Sequence, residues 1–111
     1  MFQPDPRGRI LDVPALMQLV KLTRSYSRSV AVTNGCFDGG LHEGHIATLL
    51  AASHAADVLL VLVNSDESCA RLKGPGRPIR PVAQRALALA CLACVDAVVV
   101  FDADTPVELI R

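Results

Sequence analysis

The run Val58-Leu-Leu-Val-Leu-Val63 constrains the fold more than any other stretch of this chain. A continuous apolar run of strand length, with no polar alternation, suits a strand covered on both faces, as in a parallel sheet flanked by helices. Ala97 to Phe101 is a second run of this kind, and the β-branched stretch from Ser29 to Thr33, stopping at Asn34-Gly35, supplies another strand. Helical spacing fills the intervals. Asp12 can cap a helix with Pro14 in its first turn and Leu16, Met17, Leu19, Val20 and Leu22 on its apolar side. A second helix is expected from Gly44 to about residue 56, with Ile46, Leu49, Leu50 and Ser53 in step. Ser65 can cap a short third one reaching about Leu72. Residues 73–81, with two glycines and three prolines, must be loop. The next helix, over about 82–94, is apolar nearly all round and is expected to be buried on two sides, which leaves a subunit contact and a homodimer open. The alternation predicts a Rossmann-like three-layer α/β fold with a parallel sheet and right-handed crossovers.

A chain of 111 residues supports one domain, expected over 12–111, with residues 1–11, rich in proline and charge, as a tail. Hydrophobic residues make up 51% and aromatics 4%, so the core should be aliphatic. Eleven basic residues balance eleven acidic ones, which gives no electrostatic case for nucleic acid or a membrane surface as partner. No apolar stretch approaches the roughly 18 residues of a membrane span, and the first residues carry no signal pattern, so a soluble cytoplasmic chain is expected. Four cysteines stand at 36, 69, 91 and 94. Cys91 and Cys94 lie in an apolar helical run without a second CxxC, so they are expected to be buried structural cysteines rather than a redox or zinc pair. At the far end, Thr105, Pro106 and Glu108 form a strong helix start. Fewer than two turns remain before Arg111, and so short a helix is not stable alone. The expectation is a domain truncated at its C-terminus or completed by another chain.

In an open parallel sheet ligands bind at the carboxyl ends of the strands, where residues 33–45, 64–73 and 102–106 fall. The first segment, Thr33-Asn-Gly-Cys-Phe-Asp-Gly-Gly-Leu-His-Glu-Gly-His45, is the informative one. Its glycines let backbone approach a phosphate, and the helix that follows offers free N–H groups and a positive dipole end. His42 and His45, three apart, can point to one side and donate to a polyphosphate whose charge shifts during transfer. Plainer readings compete. A zinc pair would lack a third ligand at a diagnostic spacing, and a helix cap at His42 alone would leave the glycines unexplained. Asn64 and Asp66 fit turn and capping chemistry as well as a ligand, and Arg71 and Lys73 fit a solvated loop face.

Thr33-Asn-Gly-Cys-Phe-Asp38 followed by His42-Glu-Gly-His45 resembles the signature of the cytidylyltransferase-like nucleotidyltransferases. Val63-Asn-Ser-Asp66, Arg71-Leu-Lys-Gly74 with Arg77-Pro78, Gln84-Arg85, Val95-Asp96 and Thr105-Pro106 extend the likeness, over about residues 29–111, to the adenylyltransferase domain of bifunctional heptose kinase/adenylyltransferases. The resemblance implies His42 and His45 as catalytic donors. It implies a nucleotide site over Asn34, Gly35, Cys36, Phe37, Asp38, Glu43, Gly44 and Lys73, with no metal ligands of the protein's own. Asn64, Asp66, Arg71 and Arg85 fall where the family places substrate contacts. Two departures stand out. Three residues, Gly39-Gly40-Leu41, separate the Phe-Asp pair from His42, where the family usually has two. The family's later lysine-glycine-glycine-aspartate strand end and serine-threonine-threonine helix start have no counterpart up to Arg111. The implied reaction joins ATP, with Mg²⁺, and a sugar 1-phosphate, heptose 1-phosphate first, to give ADP-sugar and pyrophosphate. The alternatives are a CTP-dependent enzyme acting on a polyol or amino-alcohol phosphate, and a non-catalytic nucleotide-binding or dimerisation module.

Overall fold

The computed structural model describes residues 5–102, so the expected helix start at Thr105 lies outside the described residues. Four parallel strands form one sheet: β1 (Ile10–Leu11), β2 (Val30–Gly35), β3 (Val58–Asn64) and β4 (Ala97–Phe101), in the order β1-β4-β3-β2. Helices α1 (Val13–Ser25), α2 (Glu43–Ala55), α3 (Asp66–Lys73) and α4 (Val82–Ala90) connect them.

The topology explains the layering. From β1 the chain crosses to the far edge at β2, then steps back through β3 to β4. With crossover hand fixed, a reversal of direction puts the first helix on the opposite face from those that follow. The packing agrees. On one face Leu59, Val61, Val63 and Val98 meet Leu49 of α2 and Ala86, Leu89 and Ala90 of α4. On the other, Leu60, Leu62, Ala97, Val99 and Phe101 meet Leu16 of α1. Successive residues of β3 thus serve alternate cores, which is why its run needs no polar position.

Local chemistry sets the helix starts. Asp12 accepts a hydrogen bond from the Ala15 N–H at 2.9 Å, with Pro14 in the first turn of α1. Ser65 accepts from the Ser68 N–H at 3.1 Å at the start of α3.

Four expectations are corrected: the extent of the tail, the end of the fourth helix, its burial, and the burial of Cys91 and Cys94. Residues 6–11 are not all tail: a 3-10 turn over Pro6–Arg9 leads into β1, whose Ile10 and Leu11 pair with Val98 and Val99. A two-residue strand carries too little pattern to be read from sequence. The helix expected over about 82–94 stops at Ala90. The Arg9 guanidinium donates to the carbonyls of Ala90, Leu92 and Val95 at 3.1–3.3 Å, closing a turn whose partner lies some eighty residues away in the chain. Nor is α4 buried on two sides. Arg85, Ala86, Leu89 and Ala90 face inward while Leu87 and Ala88 are exposed, and beyond the helix Cys91 is exposed and Cys94 half-buried. No helix among the described residues is long and apolar enough to cross a membrane.

Candidate functional site

The tips of β2, β3 and β4 converge at one end of the sheet. The β2 tip carries the glycine-rich loop. Phe37 takes a left-handed conformation (φ 52°) that folds its ring back over Gly35, where a Cβ would come within 3.1 Å of the ring. The same ring meets His45 edge-on, with centroids 5.5 Å apart.

His42 caps α2. Its Nδ1 accepts from the Gly44 N–H at 3.0 Å, and the His45 Nδ1 reaches back to the His42 N–H at 3.4 Å, a reciprocal capping box built from two imidazoles. The rings stack, with centroids 3.9 Å apart and planes 26° from parallel. Gly44 leaves room for that fold-back: a Cβ there would lie 3.0 Å from the His42 ring, which would have to give by a few tenths of an ångström. Because each Nδ1 accepts from backbone, the proton of a neutral ring belongs on Nε2. Two Nε2–H donors thus sit side by side above the start of a helix, with Glu43 exposed in its first turn. The capping considered from sequence therefore occurs, and it fixes the pair rather than occupying its donors.

Asp38 lies inward. Its carboxylate accepts from the Ile79 and Arg80 N–H groups at 2.8–3.0 Å and from the Arg77 guanidinium at 3.0 Å. Burial pushes this carboxyl up, but the Arg80 and Ile79 N–H groups and then Arg77 outweigh it and hold the pKa at about 2. Asp38 thus pins the 77–80 loop against the β2 tip. Cys36 is buried beside Cys69 of α3, whose thiol is pushed up to about 11 by burial and then by Cys36. A buried thiol pushed up in this way is an inert packing group. Asn34 is exposed on edge strand β2.

At the β3 tip, the Asn64 amide donates to the Ser68 hydroxyl at 2.9 Å, and Ser65 donates to Asp102, beyond β4, at 2.6 Å. Asp66 accepts from the Val82 N–H at 2.9 Å, capping α4, whose own cap position is Pro81. It also accepts from Arg85 at 2.7 Å. Asp66 thus acts as a cap and an ion-pair partner, whereas Asn64 ties the β3 tip to α3 through a side-chain bond. Arg85 is 2% exposed and donates to the carbonyls of Arg80, Cys36 and Asn64 as well as to Asp66, at 2.7–2.9 Å. The guanidinium expected at a substrate is engaged inside the protein, tying the β2 tip, the β3 tip and the start of α4 together.

The basic residues divide. Arg71 donates to the Asp102 carbonyl and faces its carboxylate at 3.9 Å, and Arg77 is paired with Asp38. Lys73 ends α3 exposed. Arg80 lies with its guanidinium 3.4 Å from the place of a Gly40 Cβ. There the loop and α4 enclose a cavity of about 180 Å³ lined by Phe37, Gly40, Leu41, Arg80, Gln84, Arg85 and Ala88. Arg80 and Gln84 were not singled out as ligand-binding from sequence. Their sequence signals were Arg80's place in the basic run of Arg71, Lys73, Arg77 and Arg80, which a solvated loop face shares, and Gln84's place in the Gln84-Arg85 segment of the resemblance. Among the described residues no group of three or more His, Cys, Asp and Glu side chains could hold a metal ion.

A family model described as cytidylyltransferase-like matches residues 32–111. The bifunctional protein HldE of Mesorhizobium japonicum is 50% identical over 105 residues, covering 95% of this chain and 21% of that protein. The bifunctional protein HldE of Gluconacetobacter diazotrophicus is 56% identical over 82 residues, 74% of this chain and 17% of the relative. The chain therefore spans about a fifth of the length of such relatives. The crystal structure of the lipopolysaccharide core biosynthesis protein from Thermoplasma volcanium superposes with a TM-score of 0.64 at 30% identity, covering 75% of this chain and 66% of that one.

Proposed function

The chain belongs to the cytidylyltransferase-like family, and from that premise we propose that it forms the nucleotide-binding core of an adenylyltransferase. The reaction joins ATP and a sugar 1-phosphate, heptose 1-phosphate in the favoured reading, to give an ADP-sugar and pyrophosphate. The observation that carries the proposal is the stacked pair His42 and His45, each Nδ1 tied to backbone so that each Nε2–H is left for a ligand.

An oxygen of the sugar phosphate attacks the α-phosphorus of ATP, the bond from that phosphorus to the bridging oxygen breaks, and pyrophosphate departs. The attacker's second pKa is about 6, so near neutral pH it is largely the dianion and needs no general base. What remains is alignment and charge neutralisation. His42 and His45 donate to the transferring and leaving phosphates, the start of α2 adds its dipole, and Lys73 supplies an exposed cation. Mg²⁺ enters with ATP as part of the substrate. Asp38, Asp66 and Arg85 act on substrate only through the loops they position, and Asn34, Glu43 and Gly44 border the phosphate site.

The heptose assignment rests on the likeness of the Arg71–Gly74 and Arg77-Pro78 segments described above and on the relatives' identity as HldE proteins. A CTP-dependent reading draws on the description of the family model itself. Pyrophosphate release with ATP or CTP, each paired with heptose 1-phosphate or glycerol 3-phosphate, separates the two. The proposal expects turnover with ATP and heptose 1-phosphate at least tenfold above every other pair, and turnover confined to CTP overturns it. Nucleotide binding without turnover on any pair favours the non-catalytic module.

A further inference from the structure

We propose that the cavity between the glycine loop and α4 is an anion subsite, with Arg80 and Gln84 as its polar heads, that takes the phosphomonoester of the acceptor substrate. Which molecule bears that phosphate rests on the nucleotidyltransferase reading, whereas the subsite itself rests on the geometry.

Arg80 is held at both backbone ends, its N–H donating to Asp38 at 3.0 Å and its carbonyl accepting from Arg85 at 2.9 Å. Its guanidinium has no hydrogen bond or ion pair among the described residues. The neighbouring arginines differ: Arg71 faces Asp102, Arg77 pairs with Asp38, and Arg85 with Asp66. An unneutralised guanidinium at the wall of a cavity, on a backbone held at both ends, is available to an anion, and its planar fork suits two oxygens of a phosphate. Gln84, in the first turn of α4, lines the same cavity.

The rest of the lining fits a small anion on an organic body. Phe37, Leu41 and Ala88 supply apolar walls, which lower the local dielectric and strengthen the Arg80 interaction. About 180 Å³ is less than the roughly 300–1,000 Å³ of a complete small-molecule site, so the space suits one phosphate and its first attached atoms rather than a nucleotide. The cavity lies next to the histidine pair, with the ring of Phe37 lining the one and meeting His45 of the other. The additional loop residue has a place here too. Gly40 sits at φ 88°, a conformation side chains rarely adopt, and a Cβ there would lie in van der Waals contact with the Arg80 guanidinium at 3.4 Å.

The test is calorimetric titration of the protein with mannose 1-phosphate and, separately, with Mg-ATP, for the unaltered chain and for R80Q, R80K and Q84A. Arg80 is exposed and its structural bonds are backbone ones, so these variants keep the loop. R80Q should weaken sugar-phosphate binding about tenfold or more, the scale of a charged hydrogen bond, while ATP affinity changes less than twofold. R80K should recover part of the loss, and Q84A should show a smaller loss of the same selectivity. Sugar-phosphate affinity within twofold of the unaltered protein in R80Q, or no sugar-phosphate binding by the unaltered protein, overturns the subsite. So does an equal fall in ATP affinity, which would give Arg80 to the nucleotide. If Mg-ATP binds none of the proteins while sugar-phosphate binding still depends on Arg80, the subsite stands and the nucleotidyltransferase reading falls.

Discussion

Asp38 shows how one side chain can tie two distant loops of a candidate site together. It is 5% exposed and collects two backbone donors and a guanidinium from a loop some forty residues downstream. Those donors favour its charged form, so the folded pKa, about 2, lies below the ordinary 3.8. A depressed acid contributes stability that is present above its unfolded value and lost as pH falls through its folded one. Urea melts of the wild type and Asp38→Asn should differ most above pH 4, with the gap shrinking between about pH 4 and 2. A gap independent of pH over that window would mean that the ionised carboxylate contributes nothing to holding the loop. The Phe37-Asp38 pair was legible in sequence, but its use was not. A motif read locally assigns Asp38 to nucleotide, and its partners come from positions that no local pattern links to it.

Among the elements, legibility followed the length of the pattern. The three longer strands and the starts of α1 and α3 were readable because an apolar run, a capping side chain or a proline marks each within a few residues. β1 escaped because two residues carry no period, and the end of α4 because Arg9 sets it from the other end of the chain. α2 is attached narrowly, with Leu49, 1% exposed, as its single buried residue. Leu49→Ala should cost about 2–5 kcal/mol, as removal of a fully buried leucine side chain does. Because α2 begins at the histidine pair, the loss should also free that pair. Denaturant unfolding gives the first quantity, and hydrogen exchange at the Gly44 and His45 amides the second. A loss below 1 kcal/mol with unchanged exchange would show that α2 is held by something other than Leu49.

Across the molecule, the strand tips are joined by interactions whose partners are far apart in sequence, which is why sequence could place the candidate residues at one end of the sheet but not name the protein groups they bond to. Arg85 is the clearest case: expected at substrate, it spends its donors on three carbonyls and Asp66. Arg85→Met would leave those acceptors unmatched at a buried position and should destabilise the fold by about 3 kcal/mol or more. Arg85→Lys should not rescue it, because three donors on one nitrogen cannot reproduce a planar fork. Thermal melts of both variants check this, and a Lys variant as stable as wild type would contradict it.

His42 and His45 were legible because their geometry is local, fixed by one helix start and the glycine between them. The central claim is that their Nε2 donors serve the phosphates in the transition state. The most direct measurement is the rate of pyrophosphate release from ATP and heptose 1-phosphate, in protein carrying this domain, for wild type, His42→Ala and His45→Ala. Each variant should lose roughly 10²–10³ in kcat, the cost of removing one pre-organised transition-state donor. Near-normal turnover in both would show that the pair merely caps α2, and the assignment of the phosphate site would fail.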